Sequence, residues 1–71
     1  GVFLNDKKLL NTLRAFFASN LNISKTAEEL NVTRNTVSAR LDKIKELTGL
    51  TPTDFNDAVK LKVLLTAIDV K

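Results

Sequence analysis

Cysteine, histidine, methionine, tryptophan and tyrosine are all absent from this 71-residue chain, which also has only one proline and two glycines. Each absence closes a class of function. Without cysteine there is neither a disulfide framework nor a thiolate metal site, and a reducing cytoplasm is the expected setting. Without histidine, cysteine or tyrosine the usual general bases and the thiol nucleophile are missing, so the serines and threonines have no imidazole to activate them. Ser24 beside Lys25 is a formal Ser-Lys alternative. Adjacent helical positions point about 100° apart, however, so that pair reads as a cap followed by a surface lysine. No enzymatic activity is expected, and no metal or cofactor. No run approaches the ~20 apolar residues of a membrane span, and no signal-peptide pattern is present, so no membrane partner is expected either. A chain that starts at Gly1 and has no methionine is expected to be cut from a longer protein.

What is present is an ordinary globular composition, 44% hydrophobic and 27% charged. Seventy-one residues hold one domain, since a second core would not fit. The formal charge is +3, and its placement is informative. Between Val32 and Lys45 stand Arg34, Arg40, Lys43 and Lys45 against Asp42 alone; elsewhere seven cations balance seven anions. The whole excess falls on one segment. A charge run is often only a solvated face, so this placement needs support from the pattern around it.

The apolar spacing predicts four helices and no strand. Leu9, Leu10, Leu13, Phe16 and Phe17 form one stripe of a first helix over about 6–19, with Asn5 or Asp6 as its cap and Asn20 and Asn22 as stop signals. A short second helix starts at Ser24 as N-cap and ends before Asn31. A third begins at Thr33, carries Val37, Leu41, Ile44 and Leu47 on one stripe, and stops at Gly49 ahead of Pro52. The fourth runs from Asp54 to about Ile68, with Asp54 and Asp57 placed as a capping box. The expected core is Leu9, Leu13, Phe16, Ala27, Leu30, Val32, Val37, Leu41, Ile44 and Leu65. The last helix also has a second apolar row, Val59, Val63, Ala67 and Val70, suited to a contact between chains or domains.

The stretch SKTAEELNVTRNTVSARL, from Ser24 to Leu41, has the layout of a helix-turn-helix, whose second helix enters the DNA major groove. Ala27 is small where the two helices cross. Asn31 stands at the turn, where a positive φ is needed and asparagine is the best choice after glycine. Val32 plugs the turn, and Val37 faces Ala27. Opposite the apolar stripe of the third helix, the first half is small and polar with arginine edges. Arg34 and Asn35 are placed there to read bases, while Arg40 and Lys43 flank them toward phosphates. Asp42 and Glu46 lie on the outward face of the second half and require that half to rise out of the groove. A helical protein-interaction or dimerisation module with an incidental basic face is the alternative reading.

The segment NISKTAEELNVTRNTVSARLDKIKELTGL resembles the C-terminal DNA-binding domain of the PucR and CdaR-like bacterial regulators. The likeness extends back to LLNTLRAFF and forward through the last helix. More distantly, the chain is similar to the C-terminal domain of the factor for inversion stimulation. The resemblance implies an all-α, four-helix helix-turn-helix domain of a transcription regulator, preceded in the full chain by a sensory region. The helix-turn-helix reading makes double-stranded DNA the partner and the domain half of a symmetric pair, a homodimer on a palindromic site with one helix of each copy in successive major grooves. The resemblance also places Thr33, Arg34, Asn35, Thr36 and Arg40 at DNA-facing positions, to which the helix projection adds Ser38 and Lys43. At Thr33, Ser38 and Ala39 this chain differs from the family's usual histidine and larger basic and aromatic residues.

Overall fold

The computed structural model describes residues 6–69, which form four helices: α1 (Lys7–Ala18), α2 (Ile23–Leu30), α3 (Arg34–Thr48) and α4 (Phe55–Asp69). No strand occurs among the described residues. The expected all-α, four-helix architecture is what the chain adopts. Asp6 caps α1, its carboxylate accepting the Leu9 N–H at 3.2 Å; Asn5, the other expected cap, lies outside the described residues. Thr33 caps α3 by accepting from the Thr36 N–H at 3.1 Å, and Gly49, at φ 75°, ends it. A threonine cap of this kind stabilises a helix by about 1 kcal/mol.

Two corrections concern the other caps. Asn22, not Ser24, starts α2, its side-chain oxygen accepting the Lys25 N–H at 2.9 Å. Asn22 is therefore no stop signal. That role falls to Asn20 and Leu21, both left-handed at φ 59° and 64°, which turn the chain early enough for the helix to begin at Ile23. At α4, Asp54 does accept from the Asp57 N–H at 3.1 Å. The return half of the capping box is missing, because the Asp57 carboxylate accepts the Thr51 N–H instead, at 2.9 Å. The aspartate thus ties the preceding loop to the first turn of α4.

The two tight turns share one construction. After α1, the Leu21 N–H donates to the Phe16 carbonyl and the Asn20 N–H to that of Phe17. After α2, the Val32 N–H donates to the Ala27 carbonyl and the Asn31 N–H to that of Glu28, with Asn31 at φ 57°. This paired bonding closes off carbonyls that a helix end would otherwise leave bare, and sets an apolar residue just past the left-handed one against the last turns. Leu21 and Val32 take that place, and both pack on the core. At Asn31 the backbone requirement predicts a clear ranking. Asn31→Gly should be neutral or stabilising, and Asn31→Val should cost about 1–2 kcal/mol, because a β-branched residue resists positive φ. Thermal melts check this, and equal tolerance of valine and glycine would contradict it.

The core forms where α1, α2 and α3 meet, with α4 lying against α1. Leu9, Leu13, Phe16, Ala27, Val37, Leu41, Ile44 and Leu65 are buried there as expected, joined by Leu10 and Leu61. Leu30 and Val32 are only half-buried. They sit at the end of a two-turn helix and in the turn itself, at the edge of the core rather than in it. Leu47 is 38% exposed. At 100° per residue Leu47 lies about 80° from Val37 and about 120° from Leu41, off the stripe that those two share with Ile44. Of the buried polar residues Thr12, Ser19 and Thr26, the two threonines donate their hydroxyl hydrogens to the Lys8 and Asn22 carbonyls, each at 2.7 Å, so their burial leaves neither hydroxyl donor unsatisfied.

Along α4, Ala58, Leu61 and Leu65 face inward. The second row is exposed: Val59 at 47%, Val63 at 65%, with Ala67 also in solvent and Val70 outside the described residues. Phe55, 72% exposed, extends that row at its start. Arg14 and Asp69 pair at 2.6 Å across α1 and α4, an exposed contact worth at most about 1 kcal/mol. No described helix is long and apolar enough to cross a membrane.

Candidate nucleic-acid interface

The turn at Asn31 and the Thr33 cap together decide where α3 begins, and so which residues stand at its tip. Arg34 and Asn35 occupy the first turn, both exposed, and neither side chain makes a hydrogen bond among the described residues. A planar guanidinium and a carboxamide are the groups best matched to base edges, through paired bonds to guanine and adenine. Thr33 and Thr36 have a prior engagement: their hydroxyls lie 3.0 Å apart, and Thr33 also holds the Thr36 N–H. Ser38 is half-buried one turn on.

The cations farther along α3 are not equivalent. Arg40 is half-buried and its Nη1 donates to the Thr12 hydroxyl oxygen on α1, at 3.3 Å. Lys43 is exposed and its Nζ lies 3.8 Å from the Glu46 carboxylate. Two such exposed groups hold each other weakly, so Lys43 can exchange Glu46 for another anion at little cost. Lys45, Asp42 and Glu46 are exposed on the second half of the helix. The expected site residues thus divide into a free tip, Arg34 and Asn35, and an edge, Thr36, Arg40 and Lys43.

That edge borders a groove of about 370 Å³ whose other wall is the start of α1, with Asp6, Lys8 and Leu9. Nothing in the sequence brings Lys8 to the third helix. The approach is a product of packing, and periodicity within one helix carries no sign of it. A second groove, of about 440 Å³, runs beside the turn between Ser24, Glu28, Asn31 and Arg34. No cluster of residues able to hold a metal ion occurs among the described residues.

Residues 9–67 match the model of the PucR C-terminal helix-turn-helix domain. The chain is 40% identical over 60 residues to the Purine catabolism regulatory protein of Bacillus subtilis, covering 84% of this chain and 11% of that protein. It is 41% identical over 61 residues to the Carbohydrate diacid regulator of Escherichia coli, covering 86% of this chain and 16% of that one. A third relative, the B. subtilis protein YsfB, is 38% identical over 69 residues, with 97% and 19% covered. The chain therefore spans less than a fifth of the length of each of these relatives. No solved structure matches it. The two left-handed turns, the capped third helix with its free polar tip, and a match over most of the length converge: the chain belongs to the family of PucR C-terminal helix-turn-helix domains, DNA-binding units of transcription regulators and not enzymes.

Proposed function

We propose that this domain binds a specific double-stranded DNA sequence by placing the first half of α3 in the major groove, in a bacterial cytoplasm. Arg34 and Asn35 read base edges, and Arg40 and Lys43 hold phosphates along one edge of the helix. Thr33, Thr36 and Ser38 line the same approach. The observation that carries the reading is the free tip of α3: two side chains suited to base recognition, exposed and unengaged, in the first turn of a helix whose Val37, Leu41 and Ile44 are buried. Asp42 and Glu46 fit because a recognition helix commonly enters by its N-terminal half and lifts away beyond it. The domain serves as the DNA-binding unit of a longer regulator, whose remaining length carries the sensing function.

One recognition helix per domain reads only half of a two-fold site, so the working unit is a homodimer. The surface that fits this role is the exposed row on α4. Phe55 stands at the rim of a groove of about 330 Å³ formed with Phe17, Leu21, Ala58 and Val59.

One titration series tests both parts. With phosphate contacts, log affinity for mixed-sequence duplex falls against log salt by about 0.9 per contact. On a palindrome the wild type should bind two half-sites cooperatively, and Val63→Lys should abolish the cooperativity while sparing single half-site affinity. A domain with no salt-dependent duplex binding is not a DNA reader. Cooperativity unchanged by Val63→Lys removes the α4 face from the dimer.

A further inference from the structure

The groove between the start of α1 and the middle of α3 gathers Lys8, Arg40 and Lys43 over an apolar floor that includes Leu9 and Ala39. Thr36, Arg40 and Lys43 follow one another at i, i+4 and i+7, so they form a single edge of α3. Lys8 faces that edge from a different helix. Against these three cations stand Asp6 in the groove wall, one oxygen of which accepts the Leu9 N–H, and Glu46 beside Lys43 at 3.8 Å, held only by a weak exposed pair. The groove is cationic, open, and adjacent to the tip proposed to read bases.

Its most constrained element is Arg40. The Thr12 hydroxyl donates its one hydrogen to the Lys8 carbonyl at 2.7 Å, which fixes the oxygen and leaves a lone pair for the Arg40 Nη1 at 3.3 Å. Thr12 is fully buried, so this is an anchored contact and not a surface encounter. A guanidinium has five N–H donors in a rigid fork. With one nitrogen bonded to Thr12, the remaining donors of the planar fork lose less freedom on meeting an anion, which favours a paired contact with a phosphate.

We propose that this groove seats a phosphate of the DNA backbone, with Lys8 completing the cation set of Arg40 and Lys43 and with Thr12 positioning the Arg40 guanidinium. The inference rests on the DNA-binding reading above and deepens it, because it extends the contact surface from the helix-turn-helix to α1. The seat carries no sequence information. Its role is to fix the register of α3, so that Arg34 and Asn35 meet the same base pairs in every encounter.

The test uses the whole 71-residue chain, with a site recovered by in vitro selection and a scrambled duplex, titrated at several salts. Lys8→Gln should weaken both duplexes alike, roughly three- to tenfold, and reduce the salt slope by about one, whereas Lys8→Arg should keep both. Thr12→Val removes the hydroxyl with little change of shape. It should weaken binding in the wild type and have no further effect in an Arg40→Gln background, a coupling that a purely structural threonine would not give. If Thr12→Val fails to fold, the exposed Lys8 pair still decides the matter. Wild-type binding with a steep salt slope that Lys8→Gln leaves unchanged overturns the phosphate seat and leaves the DNA-binding reading intact. An absence of wild-type binding to any duplex overturns that reading itself.

Discussion

Phe16→Ala should leave most of the population unfolded at physiological temperature. Phe16 is completely buried, at the junction of α1, α2 and α3, and its ring lies 6.1 Å from that of Phe17 in a tilted arrangement. Truncating a buried phenylalanine costs about 3–5 kcal/mol, from lost burial and from the cavity that neighbours cannot fully close. A domain of this size rarely holds more than about 3–5 kcal/mol in total, so one substitution consumes nearly all of it. Leu47→Ala is the natural control, since Leu47 is 38% exposed and should cost under about 1 kcal/mol. Urea melts followed by circular dichroism would distinguish the two. A midpoint for Phe16→Ala close to that of Leu47→Ala would mean that the three-helix junction is not the seat of stability.

The second large effect concerns DNA. Arg34→Ala should cost about 1–3 kcal/mol on the selected site and flatten discrimination between that site and scrambled duplex. Lys43→Ala should instead weaken all duplexes alike and reduce the salt slope by about one. The contrast follows from placement: Arg34 is at the tip of α3, and Lys43 lies more than two turns later, on an edge of the helix. Neither substitution should move the melting temperature by much, as both side chains are exposed. Titration of both variants against both duplexes separates the roles. Equal and sequence-independent losses would place the bases elsewhere.

Much of this arrangement is legible in the residues, for identifiable reasons. The helix-turn-helix follows from Ala27, Asn31 and Val37 because each answers a local demand: a close crossing, a left-handed turn, a buried face. The caps at Asp6 and Thr33 are equally local. Harder to read is the start of α2, where Asn22 and Ser24 are both good caps and only the path of the preceding turn selects between them. That path depends on Leu21 at φ 64°, a conformation that leucine costs about 1–2 kcal/mol to hold and that its identity therefore does not announce. Thr12 and Thr26 are buried because each bonds back to its own helix, which hides a polar residue from any hydropathy pattern. Thr36, Arg40 and Lys43 are legible as one edge of α3, but what packs against that edge is equally hidden. Arg40 meets Thr12 across 28 residues, and Lys8 meets the third helix only through packing.

The exposed tip of α3 bears on how such a domain changes its target over generations. Arg34 and Asn35 contribute neither to the buried stripe nor to the cap, since Thr33 and Thr36 do the capping. Substitutions at unengaged surface positions typically shift stability by less than about 0.5 kcal/mol. Natural domains sit just above the stability they need, and mutations that spend little of it are the ones that survive. A duplicated copy of this gene can therefore explore new pairs of residues at these two positions without first acquiring compensating changes in the core. With Arg34 and Asn35 reading bases as proposed, operator preference could drift while the scaffold stays constant, and two paralogues with nearly the same fold could come to govern different promoters.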